Sequence, residues 1–281
     1  MARIVMKDKI NPAEMFRERK LIFKLAKNDF KTKFAGSYLG TIWAFIQPVV
    51  TILVYWFVFE KALGSAGQVT RNGIEAPFVI WLMAGLVPWF FFQEAMNSGV
   101  RALLDYDYLV KKVVFKIHIL PVVKIVSALF VHIFFMGIAI AVCCIYGLYP
   151  DWYLLQIAYY AICMVCLSAG IAYATSAIVV FFRDMAQVVN VLLQIGVWAT
   201  PIMWNIASPD MEERLSPLIM NLLKLNPMYY IVNGYRDALI NKMAFWEYPN
   251  LTAYFWIFTI VVLFLGTTIF KRLRIHFADV L

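Results

Sequence analysis

Residues 40–59 contain no ionisable side chain, and a run of that length matches the ~20 residues needed to cross the hydrocarbon core of a bilayer. Directly before it, residues 11–34 read as a helix of different character. Asn11, Pro12 and Glu14 occupy N-cap, first-turn and N3 positions, a helix start of the capping-box kind. Arg17, Lys20, Lys24, Lys27 and Lys31 then recur at three- and four-residue steps and make one face cationic. Met15, Phe16, Ile22, Phe23, Ala26, Phe30 and Phe34 supply a broad apolar face. Such a helix lies in the membrane interface, its lysines against anionic headgroups or a protein partner. An interfacial helix feeding an apolar span predicts an integral membrane protein.

Further apolar runs at about 78–97, 120–146, 153–181, 186–204 and 251–270 predict an all-α chain with six spans. The third and fourth are joined only by residues 147–152, with Pro150 and Asp151 as the turn of a helical hairpin. A share of 63% hydrophobic and 15% charged residues fits this reading. The net charge of +8 is distributed for a bilayer and not for nucleic acid: ten of the 25 Lys and Arg precede Gly36, and most others flank spans. Arg101, Lys111, Lys112 and Lys116 follow span two, and Lys271, Arg272 and Arg274 follow span six. In the alternate loops Lys61 and Arg71 are matched by Glu60 and Glu75, and Asp151 stands alone. That bias places both termini in the cytoplasm of a multi-pass plasma-membrane protein. The polar start gives no cleavable leader, so the first span serves as the insertion signal.

Residues 211–225 and 228–241, separated by Asn226-Pro227, are helix-like but too short to span, and read as interfacial or re-entrant helices on the outer face. In span five Gln187, Asn190, Gln194 and Trp198 form one polar-aromatic stripe; in span one Gly40, Ala44, Gln47, Thr51 and Tyr55 form another. Interhelical hydrogen bonding and the lining of a water-filled path both account for such stripes. Gly36 and Gly40 make a G-x-x-x-G, a pattern that favours close helix contact. Arg101, Asp105, Tyr106, Asp107 and Tyr108 mix charges and rings in the inner loop, more like a docking surface than simple positive anchoring. Cys143, Cys144, Cys163 and Cys166 fall in apolar runs and read as small buried residues. There is no phosphate-binding G-x-x-x-x-G-K-[ST] loop, no metal-ligand cluster and no nucleophile elbow. Energy for any work on a substrate therefore comes from another chain.

Several stretches carry a resemblance to a family. They are Tyr38-Leu-Gly-Thr-Ile-Trp43 with Gln47-Pro48, Pro77-Phe-Val-Ile-Trp-Leu with Gly85-Leu-Val-Pro-Trp-Phe90, and Phe182-Arg-Asp184. Leu225-Asn-Pro-Met-Tyr-Tyr230, Gly234-Tyr-Arg236 and Phe277-Ala-Asp-Val-Leu281 complete the set. Over nearly its whole length the chain resembles the permeases of ABC exporters of lipid-linked polysaccharides, most closely those that translocate wall teichoic acid. The resemblance implies a homodimer with two copies of a cytoplasmic ABC ATPase, which binds the ATP and Mg; this chain holds no cofactor, metal or catalytic residue and binds no nucleic acid. It implies residues 1–35 as a cytoplasmic interface helix and 36–281 as the permease domain, with a coupling loop at 97–118 and outer gate helices at 209–241. Tyr38, Trp43, Gln47, Tyr55, Gln187, Asn190, Gln194 and Trp198 then line the substrate path, their rings stacking on sugar or polyol faces. Gly36 and Gly40 serve helix or dimer packing. The lipid-linked cargo is expected to be teichoic acid of a Gram-positive cell, with O-antigen or capsule export as the alternative within the family. An ion-coupled transporter would want unpaired membrane carboxylates and repeat symmetry, and a membrane glycosyltransferase a carboxylate-rich inner loop.

Overall fold

The computed structural model of the chain describes residues 12–64, 68–69, 75–110, 115–206, 213 and 215–280. Asn11, Arg71, Lys111, Lys112, residues 209–212 and Leu281, which carried parts of the sequence reading, lie outside the described residues. The basic helix folds as α1 (Pro12–Arg17) and α2 (Arg19–Thr32). Ile22 and Ala26 of α2 are buried against Ile119 and Val123 of α7 (Ile119–Ile145), with Phe23 meeting Phe130 edge-on. Among the described residues five helical stretches are long and apolar enough to cross a membrane: Gly40–Ala62, Phe78–Val100, Ile119–Ile145, Trp152–Val179 and Pro249–His276. Their regular α-helical cores include α3 (Trp43–Trp56), α4 (Phe78–Val100), α8 (Gln156–Val179) and α12 (Pro249–Leu273). Between the first two, Gln68–Val69 and Glu75–Ala76 pair as a minimal antiparallel ribbon.

α4 is the axis. It is buried nearly all round, packed by α3, α7, α8 and α9 (Met185–Ala199), so up to Phe92 it reads as apolar on every side rather than amphipathic. At its C-terminal end it passes into two short helices, α5 (Ala102–Asp105) and α6 (Asp107–Val110). These pack with Tyr173, Val180, Phe270 and the final helix α13 (Phe277–Val280), whose Phe277 is fully buried. α3 is the least enclosed span, with only Ile52 buried. Phe45 against Phe134 and Phe59 against Phe78 hold it to the bundle near its two ends.

The fifth apolar run differs from the sequence reading. It is helical only over the 15 residues Met185–Ala199, about 22 Å at ~1.5 Å per residue, short of the ~30 Å hydrocarbon core. The reason lies in Pro201: its ring disfavours helical backbone at the preceding residue, and Thr200 is extended at φ −95°, ψ 126°. The chain then turns through buried Ile202, Met203 and Ile206.

Two short helices follow, α10 (Pro217–Lys224) and α11 (Pro227–Arg236), at the end of the bundle opposite α2. α10 is exposed, whereas α11 enters the bundle between α4 and α8 and buries eight of its ten residues. A re-entrant segment at that depth must satisfy its own polar groups. Asn226 caps α11 by accepting from Met228 N–H at 3.0 Å and donates to Thr200 Oγ1 at 2.7 Å. The Arg236 guanidinium, 2% exposed, donates to Pro201 O and Ile202 O at 2.8 and 2.7 Å and lies 3.7 Å from the centroid of the Trp81 ring. Tyr235 shares a 2.9 Å hydrogen bond with His132 of α7.

Gly234 lets α11 lie on the Tyr160 ring, because a Cβ there would fall inside the ring's van der Waals envelope. Gly234→Ala is expected to destabilise the protein by about 1–3 kcal/mol through overpacking. Gly137→Ala, whose Cβ meets open space on α7, is the matched control and should leave the thermal midpoint unchanged or slightly raised. Equal midpoints for the two variants would show that α11 does not seat as described.

Candidate functional site

Most of the polar stripe read from span one, together with Gln194 of the stripe in span five, lines one cavity of about 510 Å³. α3 contributes Ala44, Gln47, Thr51 and Tyr55, and α9 contributes Gln194. α4 adds Trp89, Gln93, Glu94 and Asn97, and α7 adds Ser127 and His132. The end of α2 supplies Phe30, Lys33 and Phe34 at the basic end of the bundle. The volume is that of an ordinary ligand pocket, and its lining mixes amides with aromatic rings. Such a surface offers hydroxyl-rich ligands hydrogen bonds and ring faces, with little fixed charge.

Of the eight residues read as path-lining, Gln47, Tyr55 and Gln194 reach this cavity. Tyr38 projects freely from the α2–α3 turn, and Trp43 and Trp198 are exposed on the outer flanks of their helices. Gln187 is exposed and Asn190 half-buried, a turn or two along α9 from the lining. Gln93, Asn97, Ser127 and Lys33 were not singled out from sequence. The Gln93–Asn97 pair at a four-residue step in span two was the available signal.

The G-x-x-x-G expectation is corrected within this chain. Gly36 and Gly40 sit at φ +90° and +52°, with nothing within 4 Å of a Cβ at either. They are turn residues joining α2 to α3, where a left-handed backbone favours glycine, and they make no helix contact within this chain.

At the basic end the two elements that the sequence reading placed in the cytoplasm converge on one side chain. Lys124 of α7 places its ammonium 2.6 Å from Asp29 of α2 and 2.7 Å from Asp105 of α5. Tyr106 donates its hydroxyl to Asp29 at 2.9 Å, and the buried phenol is pushed above its ordinary pKa by burial first and by Asp29 second. Tyr106 therefore faces inward, which corrects its reading as a docking-surface group, while Asp105 pairs with Lys124 and stays exposed. Arg101 and Tyr108 remain exposed, and Asp107 accepts from Tyr108 N–H at 2.6 Å. Arg17 of α1 and Lys20, Lys24, Lys27 and Lys31 of α2 are all exposed. A second ionic tie holds the start of the helix, with Lys116 2.7 Å from Glu14 and 3.0 Å from Glu18. Asp29, Glu18 and Lys116 are the anchoring groups that sequence reasoning passed over, since single acids in a lysine-rich helix carry no periodic signal.

Over residues 20–240 the chain matches the family described as ABC-2 type transporter. It is similar to the O-antigen export system permease protein RfbA of Myxococcus xanthus, at 27% identity over 95% of this chain and 97% of the relative. RfbA of Klebsiella pneumoniae is 24% identical over 93% and 95% of the two chains. The polysialic acid transport protein KpsM of Escherichia coli is 23% identical over 86% and 89%.

The Glu14–Lys116 tie makes a pH prediction. The hydrogen bond from Lys116 holds the Glu14 carboxyl below its ordinary 4.5, so its stabilisation is present above 4.5 and lost as pH falls through the lower folded value. Bonds to Glu14 and Glu18 hold Lys116 above its ordinary 10.5, so that contribution is complete below 10.5 and lost as pH rises through the higher folded value. His118, 4.0 Å from Glu14, and Arg17 face the same carboxylate. A spin label at exposed Lys20 should show constant mobility between pH 4.5 and pH 10.5 and loosen only below and above those limits, as pH passes the two folded values. Glu14→Gln with Glu18→Gln should abolish both limbs; an acid limb that survives the double variant would assign the effect elsewhere.

Proposed function

Because the chain belongs to the ABC-2 type transporter family, we propose that it is the membrane-spanning permease subunit of an ATP-driven exporter of a cell-surface polysaccharide. The observation that carries this reading is the cavity in which Gln47, Thr51 and Tyr55 of α3 face Gln194 of α9 at membrane depth. Polar groups placed there line a path or a bound polar ligand rather than lipid. The names of the relatives, O-antigen export and polysialic acid transport, favour an O-antigen- or capsule-type polysaccharide over the teichoic acid singled out by sequence resemblance. The cargo is lipid-linked and enters from the cytoplasm, where the basic end of the bundle lies by the distribution of Lys and Arg.

A separate cytoplasmic ATPase supplies the energy, docking on exposed Arg101, Tyr108 and the lysine face of α2. Two copies of this chain pair through the open faces of α3 and α9, where Leu53, Phe57, Leu192, Ile195 and Trp198 are all more than half exposed. α10 and α11 close the outer mouth.

The purified chain alone is expected to hydrolyse no ATP, and with its ATPase to form a complex of two copies of each. In cells, Gln47→Leu with Gln194→Leu should lower surface polysaccharide and leave polymer inside. Both side chains are exposed, so the thermal midpoint of the complex should hardly move. ATP hydrolysis by the chain alone, or full export by the double variant, would contradict the proposal.

A further inference from the structure

Lys33 is the one cation lining the cavity among the described residues, and it stands at the inner mouth. It follows α2 directly, three residues before the left-handed turn at Gly36, and its ammonium is in ion-pair contact with Glu94 of α4. This pair differs from the other ionic ties at the same end. Lys124 and Asp29 have side chains only 9% exposed, whereas Lys33 and Glu94 are 39% and 34% exposed and open to the cavity. An exposed pair is held weakly and exchanges partners at low cost. Glu94 also has a second partner in place, the Ser98 hydroxyl, which donates to the same carboxylate oxygen. Water and Ser98 can therefore satisfy the carboxylate when the ammonium leaves.

What would take the ammonium is set by depth. Lys33 continues the amphipathic helix whose exposed lysines lie at headgroup level, and the anionic group that a membrane presents at that level is a lipid-borne phosphate. A phosphate there would leave its attached sugars beside the amides and rings of the cavity, namely Gln47, Gln93, Asn97 and Phe34. Resting on the reading of this chain as an exporter of lipid-linked polysaccharide, we propose that Lys33 is a receptor for a lipid-borne phosphate at the inner mouth of the cavity, and that Glu94 occupies Lys33 when the mouth is empty. The phosphate displaces a competitor rather than filling a vacancy. Removing the competitor strengthens binding, and removing the cation abolishes it.

The test needs neither the ATPase nor transport, so its failure is separable from failure of the exporter reading. The full-length chain in a neutral detergent is titrated by calorimetry with a short-chain prenyl diphosphate and, in a parallel arm, with a short-chain phosphatidic acid. Phosphatidylcholine is the neutral-headgroup control. Wild type should bind the phosphate-bearing lipid saturably. Glu94→Gln should tighten binding about fivefold, equivalent to ~1 kcal/mol. Lys33→Gln should weaken it at least tenfold, and Lys33→Arg should retain it. Binding in both arms assigns the site to lipid phosphate in general; binding of the prenyl diphosphate alone assigns it to the carrier of the cargo. Thermal midpoints matching wild type establish that each variant is folded. Wild-type affinity in Lys33→Gln, unchanged or weaker affinity in Glu94→Gln, or no binding in either arm would overturn the proposal.

Discussion

A single ammonium group governs the basic end of this protein. Lys124 rises from α7 and is shared by Asp29 of the amphipathic helix and Asp105 of the inner loop. Asp29 and Lys124 are nearly withdrawn from water, so neither tolerates loss of the other, and breaking such a pair typically costs about 3–5 kcal/mol. Asp105 is 43% exposed and is the detachable partner. The geometry thus makes a fixed joint between α2 and α7, with the inner loop fastened to it by one more carboxylate. A push on α2 or on the loop is felt by the same helix, which further along bears His132 on the cavity wall and in contact with Tyr235.

The opposite end obeys another constraint. A span that stops short in a bilayer leaves carbonyls without water, and Arg236 meets that need by donating to two of them while stacking on Trp81. A buried guanidinium is tolerable there because two main-chain carbonyls just beyond α9 accept from it and the Trp81 ring lies against it. Asn226 makes the same connection through Thr200. The short fifth helix and the re-entrant α11 are therefore one construction, and the cavity lies between it and the Lys124 joint.

Spans one to four and six were legible because a bilayer demands ~20 apolar residues and little else. The lysine face of α2 was legible as period, and so was a minor part of the cavity lining, because Gln47 and Gln194 stand out in apolar helices. What sequence hid has physical reasons. Asp29 is one acid among many bases, and its importance comes from Lys124, 95 residues away. The G-x-x-x-G at Gly36 and Gly40 has the spacing of helix contact, yet the same residue type serves left-handed turns, and only backbone angles tell the two apart. The early end of the fifth span was written in Thr200-Pro201, but apolar residues on both sides of the proline masked it. Asp105 and Tyr106 are polar residues in a loop, a context that suggests solvent until a buried lysine is found beneath them.

The proposed export requires a contact surface that moves as a unit with the helices around the cavity. In this chain the sharing of Lys124 makes that link. Spin labels at Lys24 of α2 and Tyr108 of α6, both exposed, report the distance between the two elements directly, with the four native cysteines replaced. The account predicts one narrow distance distribution in the otherwise unaltered chain and a clearly broadened or bimodal one in Lys124→Met. A distribution as narrow in Lys124→Met as in the parent would show that the two elements are held together by something other than the shared ammonium.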